Sequence, residues 1–116
     1  MSTRCTINFC NEDDIVAKVY RHCDGYPNGQ YGVKHDLKNF FGDVLNECKN
    51  DPRFNDPSYL AAKFVVWQAN EYKRENKLDF LFVGICQDDP RDIEFTYFIN
   101  CNNYDNTFPK VRCKKV

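Results

Sequence analysis

The sequence predicts an α+β domain: a two-layer sandwich in which an antiparallel sheet, ordered β-β-α-α-β-β-β, carries two helices on one face. Three observations predict it. Residues 4–10 and 92–101 alternate apolar and polar side chains, the period of a half-buried strand. Residues 37–48 place apolar side chains at helical spacing. Short polar turns separate neighbouring strands, which favours antiparallel pairing. The 116 residues make one domain, 1–116, with room for one core.

The first strand sets Cys5, Ile7 and Phe9 against Arg4, Thr6 and Asn8. Asn11, Glu12, Asp13 and Asp14 form a turn, and residues 15–22 return as the second strand of a hairpin. With Ile15, Ala17 and Val19 toward the core, Lys18, Tyr20 and His22 point away. Residues 24–32 hold Gly25, Gly29, Gly32 and Pro27, a loop composition. Leu37, Phe40, Phe41, Val44, Leu45 and Cys48 then mark an amphipathic helix over about 35–50. Asp56 offers an N-cap and Pro57 suits the first helical position, so a second helix runs from there to about residue 77.

This second helix is apolar most of the way round, with Lys63, Asn70 and Arg74 as its polar stripe. Such a helix is covered on more than one side. A homo-oligomer is therefore expected. Three strands follow, over 78–86, 92–101 and about 110–114. The turn at 87–91 joins the first two, and Pro109 delays the last.

The totals exclude several classes. A net charge of −1 does not suit bulk nucleic-acid binding, which needs many cations. No run is long enough to span a membrane and the N-terminus is no signal peptide, so a soluble cytosolic protein is expected. The seven cysteines are odd in number and contain no Cys-x-x-Cys pair, so neither a disulfide framework nor a metal site is expected. No cofactor motif is present, since Gly25, Gly29 and Gly32 match neither phosphate-binding fingerprint. The eighteen aromatic residues (ten Phe, seven Tyr, one Trp) exceed what a small core needs and point to rings on a contact surface.

Two regions could carry chemistry. The denser is Tyr20, Arg21, His22, Asp24 and Tyr26, at the end of a strand beside a Gly-rich loop. Arg21 can clamp a phosphate. His22 and Asp24 can bond a ribose or a base edge. Tyr26 and Tyr31 offer flat faces for stacking. The same residues also read as turn formers with an internal Arg21–Asp24 pair. The other region is the sheet face opposite the helices, carrying Thr6, Asn8, Lys18, Tyr20, His22, Thr96, Phe98 and Asn100.

Thr3-Arg4-Cys5, with Tyr20-Arg21-His22 and Asp24-Gly25-Tyr26-Pro27, resembles a family of small bacterial and bacteriophage proteins. Those proteins begin with a similar strand and carry a like segment before a helix. The resemblance covers the first 30 or so residues and implies a phage or mobile-element origin. By analogy of class, small phage proteins without catalytic motifs often act by binding, and one class of similar size serves as sponges. They sequester nucleotide signals of Thoeris and CBASS immunity.

The expected function is therefore non-enzymatic sequestration of a small nucleotide-derived ligand, a cyclic nucleotide or ADP-ribose derivative. Two alternatives stand beside it. One is an anti-CRISPR-like inhibitor docking on a host defence protein. The other is a small hydrolase or transferase using His22 and Asp24 as acid and base.

Overall fold

The computed structural model describes residues 3–71, 81–101 and 107–116. Its elements follow the predicted order: β1 (Cys5–Asn11), β2 (Asp14–Arg21), α1 (Val33–Glu47), α2 (Pro57–Glu71), β3 (Val83–Cys86), β4 (Phe95–Asn100) and β5 (Lys110–Lys115). The strands form one sheet in the order β3-β2-β1-β4-β5. The expected residues 72–80 of the second helix and third strand, with Arg74, lie outside the described residues.

The sheet is mixed, which corrects the expectation of a wholly antiparallel one. β1 pairs antiparallel with β2, β2 with β3, and β4 with β5, but the central pair β1 and β4 is parallel. The physical reason is the turn at 87–91. It was expected to fold β4 back onto β3. Instead β3 pairs with β2 and β4 with β1, so the connection crosses the width of the hairpin. It is tied down on the way, because Lys18 Nζ bonds Asp89 at 2.6 Å and Arg4 bonds Asp92 at 3.1 Å. Ile93 within it is buried, yet lies outside the main core cluster.

A second correction concerns β2. The register slips between Phe9 and Cys10, so Phe9 faces Ala17 and Cys10 faces Ile15. A bulge of this kind moves the side chains beyond it to the other face. Ile15, expected in the core, is therefore exposed on the face opposite the helices, while Ala17, Val19 and Arg21 keep the core phase.

The core lies between the sheet and the helices. Cys5, Ile7, Phe9, Val19, Tyr97 and Ile99 meet Val33, Leu37, Phe40, Phe41 and Val44 of α1, and Leu60, Ala61 and Phe64 of α2. α2 packs directly on β1, β2 and β3. Pro57 opens it as predicted, and the Asp56 carboxylate accepts from Tyr59 N–H. Leu45, expected in the apolar set of α1, stays exposed.

Aromatic contacts run without a break through this layer. Phe9 meets Phe64, Phe64 meets Phe40, Phe40 meets Phe41, and Phe41 meets Phe54. Six rings among the described residues are buried in this layer, while Tyr31, Tyr59 and Phe108 are exposed, so the rings divide between core and surface. Among the described residues no helix is long and apolar enough to cross a membrane.

Candidate functional site

The polar cluster at the end of β2 divides between the two faces of the sheet. Arg21 shares its phase with Val19 and turns inward, where it is 1% exposed. Each of its three nitrogens has an acceptor there. Nη1 reaches Asp36 of α1 at 2.7 Å and Gln68 Oε1 of α2 at 3.2 Å, Nε donates to the Cys23 carbonyl, and Nη2 donates to the Tyr31 carbonyl. One side chain thereby ties β2, the loop and both helices together. Burial raises the Asp36 carboxyl, and the Arg21 charge beside it opposes that rise. Arg21, expected to hold a ligand phosphate, is occupied inside the fold.

Its neighbours are arranged around the same framework. Gly25 docks on the first strand, where its N–H donates to the Thr3 carbonyl and its own carbonyl accepts from Tyr97 Oη at 2.6 Å. A Cβ there would stand 2.8 Å from the Thr3 oxygen, so only glycine fits. Asp24 sits at φ 55° and accepts from Tyr26 Oη at 3.2 Å. Tyr31 lends its carbonyl to Arg21 and leaves its ring exposed. Tyr20 and His22 point to the opposite face, joined Oη to Nδ1 at 2.9 Å. The structure thus brings Asp24 to Tyr26 and Tyr20 to His22, and it separates Arg21 from His22.

The open sheet face is built differently. Alternation sends Thr6 and Asn8 of β1, Thr96 and Phe98 of β4, and Lys114 and Arg112 of β5 to this side, and the register sets Thr6 beside Thr96, Thr96 beside Lys114, and Phe98 beside Arg112. Asn8 lies at its centre and is 1% exposed. Its Nδ2 donates to Thr96 Oγ1 and to the Tyr97 carbonyl, both at 3.0 Å. A carbonyl accepts only, so this bond fixes which end of the amide is nitrogen. Among the described residues the Asn8 Oδ1 has no hydrogen-bond partner. A buried acceptor left in that state costs about 1–3 kcal/mol.

Asn8 lines a recess with Ile15, Lys18, Thr96, Phe98, Lys114 and Lys115, of about 400 Å³. Lys18 is paired with Asp89, whereas no ion pair among the described residues involves Lys114 or Lys115. Arg112 stacks its guanidinium over the Phe98 ring at 4.7 Å and carries the basic surface into a neighbouring recess with Lys110 and Asn100. Glu12 and Asp13 rim the far side of that second recess.

No family model, curated protein or solved structure matches this chain. The site is therefore read from its own chemistry.

Among the described residues there is no cluster of His, Cys, Asp and Glu arranged to hold a metal ion. All seven cysteines are free thiols. Burial pushes the Cys5 thiol up to about 12, against the lowering influence of Arg21, and does the same to Cys101. A thiol so raised is neither a nucleophile nor a ligand at neutral pH.

The alternation of residues 4–10 and 92–101 already marked Thr6, Asn8, Thr96 and Phe98 as one face. Sequence reasoning missed the β5 cations. Lys110, Arg112, Lys114 and Lys115 stand in the sequence as a basic run, and only the pairing of β5 with β4 carries three of them to Phe98 and Asn8.

Proposed function

We propose that the protein is a non-enzymatic binder of a small, anionic, nucleotide-like ligand, held on the open face of the sheet. The carrying observation is the buried, unpartnered Oδ1 of Asn8 in a recess rimmed by Lys114 and Lys115. A bare anion would satisfy the lysines and leave that acceptor orphaned. The Oδ1 is closed to solvent, so a ligand with both phosphate and a base N–H or sugar O–H satisfies both only as the side chains over Asn8 shift aside. Phe98 and the Arg112 laid over it supply a flat apolar wall for a ring. Tyr20 and His22 share the face and extend it along β2.

Sequestration is favoured over turnover by the composition of the face. The recess around Asn8 holds amide, hydroxyl, ammonium and aromatic groups, with its Lys18–Asp89 carboxylate already paired. Such groups bind and orient. Release of an unchanged ligand is the behaviour of a sponge. With the N-terminal resemblance, this supports the anti-defence role in which a phage protein removes a nucleotide immune signal.

The test is calorimetric titration with a panel of cyclic dinucleotides and ADP-ribose derivatives, followed by mass analysis of the recovered ligand. The expected result is saturable binding of at least one, recovered intact and weakened by Lys114→Ala. Turnover would make the protein an enzyme. Failure of the whole panel would turn the reading toward a protein target.

A further inference from the structure

The two edges of the sheet differ in chemistry. β5 carries Lys110, Arg112, Lys114 and Lys115 and no acid, so two copies meeting there would set like charges opposite one another. β3 reads Val-Gly-Ile-Cys and carries no charged residue. Among the described residues no strand pairs with the outer side of β3, and edges of this kind pair with another strand. The region around it is apolar as well. Ile85 is 72% exposed and Val16 50%, and Ile15 and Leu81 are exposed beside them. Ile15, Val16, Ala17 and Ile85 line one shallow recess along this edge, with Lys18, Cys86 and Gln87.

The backbone is set for a partner. His22 N donates to the Phe82 carbonyl, directly across the β2–β3 ladder. In an antiparallel ladder the bonded pairs alternate, so Phe82, Gly84 and Cys86 turn their amides toward β2. Val83 and Ile85 therefore turn theirs outward. We propose that a second copy of this chain pairs antiparallel along β3, about a two-fold axis at Gly84, joining two five-stranded sheets into one.

That register is the one the geometry favours. A continuous sheet needs facing residues on the same side, and a two-fold axis then passes through a residue. Centred on Gly84, Val83 of one copy faces the partner's Ile85 as a bonded pair, twice over, for about four inter-chain hydrogen bonds. Gly84 meets its own copy at the close, non-bonded position. A Cβ at Gly84 would find nothing within 4 Å in the single chain, so glycine is not required there by the monomer's own packing. On the helix side each exposed Ile85 gains an apolar neighbour. The outer helix face is the rival surface, with Tyr59 and Val66 exposed, but Asp43, Glu47 and Lys63 interrupt it. This assembly is independent of the ligand reading, since β3 contributes no residue to the Asn8 recess.

Sedimentation equilibrium over a concentration series tests it on the intact chain. The wild type is expected to approach twice the 13.7 kDa of one chain. Ile85→Lys, which gives β3 the kind of charge β5 carries, should remain folded by circular dichroism and run as a monomer. Val66→Lys should leave the dimer intact. In the wild type, exchange of the Val83 and Ile85 amides should quicken on dilution. A wild type that stays monomeric overturns the proposal. So does an Ile85→Lys protein that still dimerises, or dissociation by Val66→Lys alone.

Discussion

Arg21 and Asn8 are both polar, both 1% exposed and both on the hairpin that centres the sheet, yet they do opposite things. On the helix side, Arg21 has an acceptor for each of its three nitrogens, drawn from three parts of the chain. On the open side, Asn8 has both donor bonds filled and, among the described residues, no donor to its acceptor, under a rim of lysines. A buried charge whose every nitrogen is held by the fold acts as scaffold, because it has little left to give a ligand. A buried polar atom with a bond unmade, on a residue that lines a recess, has something to give. Gln68 tempers the rule: its Nε2 also lacks a partner among the described residues, but Gln68 lines none of the recesses described above. The orphan atom and the accessible recess are needed together.

Removing Arg21 should give the largest effect. Arg21→Ala strands the half-buried Asp36 beneath α1, and breaking a buried pair in this way costs about 3–5 kcal/mol. The melting temperature should fall by on the order of 10–20 °C, measured by calorimetry. A change of a degree or two would break the comparison at its scaffold end.

Alkali should act next, again on the helix side. Cys5 and Cys101 have folded pKa values pushed up to about 12 from an ordinary 9.0. The folded state holds these protons after the unfolded state has released them, so their stabilising contribution is full below pH 9 and lost as pH rises toward 12. Between pH 9 and about 12 stability should fall by on the order of 1 kcal/mol per thiol for each pH unit. Denaturant midpoints read against pH would show it, and Cys101→Ala should reduce the slope.

On the open face the effects should move from stability to binding. Lys114 is exposed, so Lys114→Ala should alter stability by no more than about 0.5 kcal/mol. Ligand affinity should drop roughly ten- to a hundredfold, the value of about 1.5–3 kcal/mol for a charged hydrogen bond. Titration and thermal melting on the same variant separate the two. The smallest effect belongs to Tyr20→Phe, which removes the bond to His22. It should cost about 0.5–1.5 kcal/mol, visible as a shift in denaturant midpoint.

Much of this was legible in the residues. Asp56-Pro57 announced the start of α2, and the alternation of residues 4–10 and 92–101 placed Asn8 and Phe98 on a common face. Arg21 was legible too, since it lies in phase with Ala17 and Val19. Its charge invited a surface role, while parity sent it inward. The bulge opposite Phe9 and Cys10 was not legible, and it moved Ile15 out of the core. Nor was the parallel pairing of β1 and β4. Turn length speaks only to neighbours in sequence, while strand order is decided by which faces the helices must cover. The basic run of β5 acquired meaning only once that order set it beside Phe98.

The most direct test of the division between the two faces is a nitrogen-15 correlation spectrum of the labelled protein during titration with a ligand that binds. The account predicts shifts in the Asn8 side-chain amide and in the Thr96, Phe98 and Lys114 backbone amides, with the Arg21 Nε–H resonance unmoved. Shifts concentrated at Arg21 Nε–H, Asp24, Tyr26 and Tyr31, with the Asn8 amide unmoved, would contradict it.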